Sequence, residues 1–192
     1  MSEHLEDTTI GSYHIIQKLV ETNKSDIYAA YDKRTFKKCV LKIYRQKDVS
    51  KISQESVADN LELFGSLNHP NIMPIIEIIP QNSEINKNLG AIIVMPKALF
   101  NLRDYIILNR GINEDNTSRI IFSVLKALSY LHSNEIIHRN VIIQNILIMN
   151  KKNLKIDVND VVLSGFSHAT LHLQKILSDG VVGDFHYNSP EM

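Results

Sequence analysis

The sequence predicts an α+β fold in two parts, a strand-rich first lobe followed by a helical second one. Three observations carry this. Apolar and polar residues alternate with period two in Tyr13 to Leu19 and in Asp26 to Tyr31. Lys38 to Tyr44 is a β-branched, apolar run of strand length. Beyond Gly111, Ile120, Ile121, Val124, Leu125, Leu128 and Leu131 recur at the spacing of one helix face.

These segments order the chain. Asp32-Lys33-Arg34-Thr35 is a polar turn between the second and third strands. A helix is expected from about Ser53 to Leu67, with Val57, Leu61 and Phe64 on one face. It ends at Asn68-His69-Pro70-Asn71, because Pro70 steers the residue before it away from helix. Ile72 to Ile79 and Ala91 to Met95 are expected as further strands, joined by the polar loop Gln81 to Asn88. Five strands and one helix thus make a first lobe over residues 10–95, behind a polar, flexible stretch at 1–9. The pattern changes from strand to helix at 96–100, a hinge, and the second lobe spans 101–192. There Leu102 to Asn109 reads as a short helix and Asn113 as the N-cap of a longer one ending at Ser133. The short apolar segments Ile146 to Met149 and Val161 to Leu163 follow, with the polar loop Asn150 to Asp160 between them.

Composition narrows the function classes. With 192 residues, 44% hydrophobic, the chain can bury a sizeable core. Lys+Arg and Asp+Glu are equal at 21 each, so no net field attracts nucleic acid or an anionic membrane, and neither is expected as a partner. The single cysteine, Cys39, lies between apolar neighbours and reads as a buried thiol in a reducing setting. Met1 to Thr9 is acidic and polar, unlike a secretory signal, and no run reaches the about 18 apolar residues of a membrane span. A cytoplasmic or nuclear location is expected.

Several motifs carry chemistry. His138-Arg139-Asn140 is followed after four residues by Asn145. Cys39-Val40-Leu41-Lys42 ends an apolar strand, and Leu163-Ser164-Gly165-Phe166 follows the last apolar segment. Leu19 to Tyr28 frames a hairpin, and Val182 to Glu191 closes the chain. In this order the motifs resemble those of the eukaryotic protein kinase superfamily over about Ile10 to Met192, in a degenerate and C-terminally truncated form. The fold this implies is a two-lobe kinase architecture with an incomplete helical second lobe ending at an A-P-E-like motif.

The resemblance also assigns roles. Asn140 takes the place of the Asp that accepts the substrate proton. An amide takes up no proton near neutral pH, so the general-base contribution, about 10²- to 10⁴-fold, is absent. Lys42 stands where a Lys contacts the nucleotide phosphates, and the helix Glu that should pair with it falls on Asn60, with Glu55, Asp59 or Glu62 as substitutes after a register shift. Leu19, Ile27, Val40, Met95, Ala98 and Leu147 would surround the nucleotide base, with Val40 narrowing the slot. Asn145 would hold a metal ion, but Gly165 replaces the main metal-binding Asp and offers no oxygen from a side chain. The glycine-rich phosphate loop has no glycine, its places including Val20, Thr22 and Ser25, and Ile142 replaces a polar group near Asn140. Arg139 could meet a phosphate on Thr170 or Ser178. Phe64, Ile75, His138 and Phe166 occupy the stack that aligns an active-like core.

Loss falls on residues that handle phosphate, metal and proton, while packing positions survive. The resulting reading is a catalytically inactive pseudokinase that acts as a binding or allosteric module on another protein, an active kinase among the candidates, and requires no cofactor. Two alternatives stay open. One is a weak ATP-dependent Ser/Thr kinase using Mg²⁺, Lys42, Asn145 and a relocated carboxylate, Asp157 or Asp160. The other is a non-functional remnant, since helices absent after Met192 should cover the apolar face from Ile120 to Leu131.

Overall fold

A computed structural model describes residues 5–22, 25–45, 63–81, 83–84, 89–150, 155–171 and 186–187. The helix expected from Ser53 lies outside the described residues except at its end, where residues 63–65 are helical. The closing motif Val182 to Glu191 lies outside them except at residues 186–187. The chain divides into two compact units, Met1–Ser66 with Pro74–Lys97, and Leu67–Met73 with Ala98–Met192. An unbroken first lobe over residues 10–95 is therefore corrected, because Leu67–Met73 belongs to the second unit.

The first unit is built on a six-stranded antiparallel sheet of order β1-β2-β3-β4-β6-β5. Its strands are β1 (Thr9–Ile10), β2 (Tyr13–Glu21), β3 (Ser25–Asp32), β4 (Lys38–Tyr44), β5 (Glu77–Ile79) and β6 (Ile92–Pro96). One face buries Tyr13, Ile15, Tyr28, Ala30, Leu41 and Val94 in a continuous core. The other carries Ala91 and Ile93 under Tyr44, Ile75, Ile78 and Met95. Period-two alternation puts each residue on its face, so the pattern read from the sequence and the two clusters share one cause.

The described part of the stretch 1–9, expected to be flexible, makes contacts with the sheet: Asp7 N–H donates to Ile15 O, Thr9 pairs with His14, and Leu5 packs on the buried cluster. The strand expected over Ile72 to Ile79 shrinks to β5. Pro74 has no N–H to extend the ladder, and Asn71 to Met73 pairs elsewhere, with Met73 N–H donating to Leu163 O and Leu163 N–H to Asn71 O.

The second unit holds α1 (Leu102–Leu108) and α2 (Glu114–Ser133), the strands β7 (Phe100–Asn101), β8 (Ile136–Ile137), β9 (Ile146–Ile148), β10 (Val161–Leu163) and β11 (Thr170–Leu171), and two short 3-10 turns, Val158–Asp160 and Phe166–His168. Asn101 and Asn113 cap the helices, accepting from the N–H groups of Asp104 and Asn116. The face of α2 is narrower than expected. Ile120, Val124, Ala127 and Leu131 are buried, whereas Ile121 and Leu125 are 54% and 57% exposed.

Part of that buried stripe is polar. Ser123 Oγ donates to Arg119 O and Val158 O, and Asn116 Oδ1 accepts from Ile156 N–H. Asn71 Nδ2 donates to Val158 O and Val161 O. These bonds fasten the segment before β10 onto α2 and onto Asn71, satisfying backbone groups that the interior would otherwise leave unpaired. Among the described residues no helix is long and apolar enough to cross a membrane.

Candidate functional site

The predicted residues divide between the two units. In the first, Ile27 pairs with Lys42, Ala29 with Val40, and Val40 with Met95, so Ile27, Val40, Lys42 and Met95 share one sheet face. All four are half-buried. Lys42 Nζ lies 5.0 Å from the centroid of the Tyr44 ring. Leu19 departs from this register: it is the extra residue where β2 shifts between Lys18 and Val20, and it is exposed. Asn60, Glu55, Asp59 and Glu62 lie outside the described residues.

The β2–β3 hairpin, where the phosphate loop was sought, is fastened by charge. Asp26 is buried and accepts from Lys18 Nζ at 3.3 Å and Arg45 Nη2 at 2.7 Å. The same two cations hold Glu21, at 3.1 Å and 2.8 Å, and the Lys18 hydrogen bond, with that of Arg45, holds its carboxyl below the ordinary range. At the turn Thr22 N–H and Oγ1 both donate to Ser25 O, and Thr22 Oγ1 accepts from Ser25 N–H. The backbone N–H groups of Thr22 and Ser25 are thus satisfied within the hairpin, unlike those of a phosphate-binding nest. The sequence reading missed this network, although Lys18, Glu21 and Asp26 are visible as charges flanking the turn.

In the second unit the structure brings His138, Asn140, Asn145 and Ser164 together through a closed ring of hydrogen bonds, with Gly165 beside it. Asn140 N–H donates to His138 Nδ1 at 3.2 Å, which leaves His138 Nε2 as the donor to Ser164 O at 2.9 Å. Ser164 N–H and Oγ both donate to Asn145 O, at 2.8 and 3.1 Å, and Asn145 Nδ2 donates back to Asn140 O at 2.9 Å. Ser164 was not singled out from the sequence; its place beside Gly165 is the only signal there.

His138 is 1% exposed, and burial pushes its pKa down to about 4, so the ring is neutral at pH 7. It stacks edge-on against Phe166 with ring centroids 4.8 Å apart, which brings two of the four expected stack residues together. The other two, Phe64 and Ile75, lie in the first unit. Among the described residues, the buried Asn140 Oδ1 has no hydrogen-bond partner. Arg139 adopts φ of 57° and donates from Nε to His168 O at 2.6 Å; burial lowers its pKa. Thr170 is buried in β11, opposite Ile137, which corrects its reading as a phosphate acceptor beside Arg139. Ser178 lies outside the described residues.

Gly165 occupies left-handed backbone, φ 83°. A Cβ placed there would stand 2.3 Å from Asn145 Cγ and 2.4 Å from Asn145 Nδ2, closer than side-chain atoms approach. The carboxamide of Asn145 therefore fills the space a side chain at 165 would need. Leu147 is half-buried in β9, and Ala98 follows Lys97 at the boundary between the units.

Asp157 and Asp160 stand elsewhere. Asp157 caps the 3-10 turn by accepting from Asn159 N–H, and Asp160 O accepts from Met149 N–H. Asp160 precedes the Val161–Ile148 pair, while Asn145 adjoins Ile146–Leu163, at the other end of the β9–β10 hairpin. Three residue pairs, about 10 Å of strand, separate them. This corrects the suggestion that either carboxylate is relocated beside Asn145.

The chain's residues 13–192 match the family model described as protein kinase domain. The chain belongs to the protein kinase family. It is 26% identical over 198 residues to a carbon catabolite-derepressing protein kinase of Candida glabrata, with 100% of this chain and 29% of that protein covered. It is 27% identical over 189 residues to the protein of the same name in Saccharomyces cerevisiae, covering 95% of this chain and 27% of the relative. It is likewise 27% identical over 189 residues to a CaM kinase-like vesicle-associated protein of Danio rerio, covering 95% and 42%. The chain thus spans less than half the length of each of these relatives.

Against the magnesium ion that a kinase domain implies, the described residues of the second unit do not fit. A hard cation needs several oxygen ligands, preferably anionic. Here the Asn145 amide is folded onto Gly165 with its nitrogen bonded to Asn140 O, and among the described residues no group of three His, Cys, Asp or Glu could hold a metal. His138, beside Asn140, has both ring nitrogens engaged and a pKa of about 4, so it is not placed to take up a substrate proton. What this arrangement does is tie the 138–145 loop to the 164–165 turn.

Proposed function

We propose that this kinase domain is a pseudokinase, a folded module that does not transfer phosphate and acts by presenting a surface to another protein, an active kinase being the candidate partner. The closed ring carries the reading: the positions for proton acceptor, metal amide and metal carboxylate hold Asn140, Asn145 and Gly165, bonded or packed against each other. Phosphoryl transfer depends on positioned charge around the transferred group, and the loss of those charges removes most of what a protein supplies. The hairpin that replaces the phosphate loop points the same way, since side-chain and backbone bonds already satisfy it. No cofactor is required for such a role.

Incubation of the purified chain with labelled ATP, Mg²⁺ or Mn²⁺ and generic protein substrates tests this. The expected result is no incorporation above a chain carrying Lys42→Met. Turnover that Lys42→Met abolishes would refute the reading.

A further inference from the structure

The loop between β3 and β4 holds an aromatic residue that the fold itself does not use. Phe36 is 78% exposed and adopts φ of 56°, left-handed backbone that hairpin loops ordinarily give to glycine or asparagine. Neither packing nor backbone conformation favours a phenylalanine there, and a bulky residue kept in that region points to a use outside the fold. Residues 33–38 are all exposed, and they hold Lys33, Arg34, Lys37 and Lys38 with no acid among them. The loop is also tied down from its foot. Asp32 Oδ1 accepts from Arg34 N–H at 2.9 Å and from Arg34 Nε at 3.4 Å, and Asp32 Oδ2 accepts from Thr35 Oγ1 at 3.2 Å. Phe36 N–H donates to Asp32 O at 2.7 Å, and Asp32 N–H to Lys37 O at 3.0 Å.

We propose that this hairpin tip is the surface the module presents, and that it takes an acidic segment of a partner protein whose carboxylates flank an apolar site for Phe36. The inference rests on the pseudokinase reading and names the class of its partner. Charge complementarity sets that class. Asp32 is engaged inside the turn, and among the described residues no ion pair holds Lys33, Lys37 or Lys38. The Arg34 side chain is 70% exposed and is held through Nε, so its Nη groups face an outside acceptor in a set direction, which suits a carboxylate. Such an oriented fork, with a single apolar side chain beside it, fits a protein segment better than an anionic membrane, which recognises charge without direction. A loop already ordered before binding loses little freedom on docking, and an exposed aromatic is the usual anchor of such contacts.

Fluorescence anisotropy with a short labelled peptide of glutamates and aspartates around a central pair of leucines tests this. The parent chain is expected to bind it saturably, and to bind more weakly at high salt or when glutamines and asparagines replace the acids. Phe36→Gly should weaken binding about ten-fold or more, and Lys33→Glu with Lys37→Glu should do the same. Thermal unfolding supplies the control: Phe36→Gly should be no less stable than the parent, because glycine accepts the left-handed backbone and no buried contact is lost. Absence of binding by the parent, equal affinity in Phe36→Gly, or a clear fall of its Tm overturns the proposal, the last by showing that Phe36 serves packing. Tighter binding to phosphatidylserine-containing vesicles than to the peptide overturns it in favour of a membrane. The two readings fail separately, since turnover by the parent chain sinks the pseudokinase and equal affinity in Phe36→Gly sinks only this surface.

Discussion

Acid should destabilise this protein through His138 before its carboxylates titrate. The ring is buried, neutral and fully bonded, and its folded pKa is about 4 against an ordinary 6.5. A depressed value on a base means that the unfolded chain binds the proton more readily than the folded one. The stability is therefore fully present above pH 6.5 and is lost as the pH falls toward 4. At about 1.4 kcal/mol per pH unit, a drop from pH 7 to pH 5 costs about 2 kcal/mol from this residue alone. His69 is shifted in the same direction by burial, so the whole chain responds in that window and a control is needed. His138→Gln supplies it: the amide keeps a donor for Ser164 O and cannot titrate. Urea denaturation at pH 7 and pH 5 is the assay. The variant should be less stable at both values but should lose about 2 kcal/mol less than the parent between them. An equal loss in both chains would mean that His138 is not buried as a neutral ring, and the ring of bonds through Ser164 would go with it.

Other outcomes follow from the same packing. Asp26→Asn removes the charge that Lys18 and Arg45 share in a buried position, and should cost about 1.5–3 kcal/mol, with faster amide hydrogen exchange in the β2–β3 hairpin. Asn71→Ala takes a donor from the carbonyls of Val158 and Val161 and should cost about 1–3 kcal/mol in denaturant unfolding. Leu131→Ala opens a cavity at a fully buried position of α2, for about 2–5 kcal/mol. Cys39, with its thiol pushed up to about 11 by burial, should resist iodoacetamide at pH 8 in the native chain and react fully in denaturant.

Local pattern was enough for much of the fold. Period-two alternation marked the strands at Tyr13 to Leu19 and Asp26 to Tyr31, because a strand turns alternate residues to opposite faces whatever lies beyond them, and a β-branched, apolar run marked the one at Lys38 to Tyr44. Asn113 and the run to Ser133 announced α2, since capping and helical spacing act within a few residues. The resemblance to protein kinases, carried by the motifs and their order, assigned Asn140, Asn145 and Gly165 to the proton-acceptor and metal-ligand places.

Tertiary structure decided the rest, because each remaining question concerned partners far apart in sequence. Asn71 to Met73 joined β10 rather than β5, and the buried stripe of α2 gave up Ile121 and Leu125 while keeping Ser123 and Asn116, whose side chains bond Val158 and Ile156. Thr170 was buried by pairing with Ile137, thirty-three positions earlier in the chain. Above all, nothing in the string of residues said that Asn145 would lie on Gly165 and bond Asn140 O. Residue identity gave the groups at these positions, but only the folded chain placed the Asn145 carboxamide against Gly165.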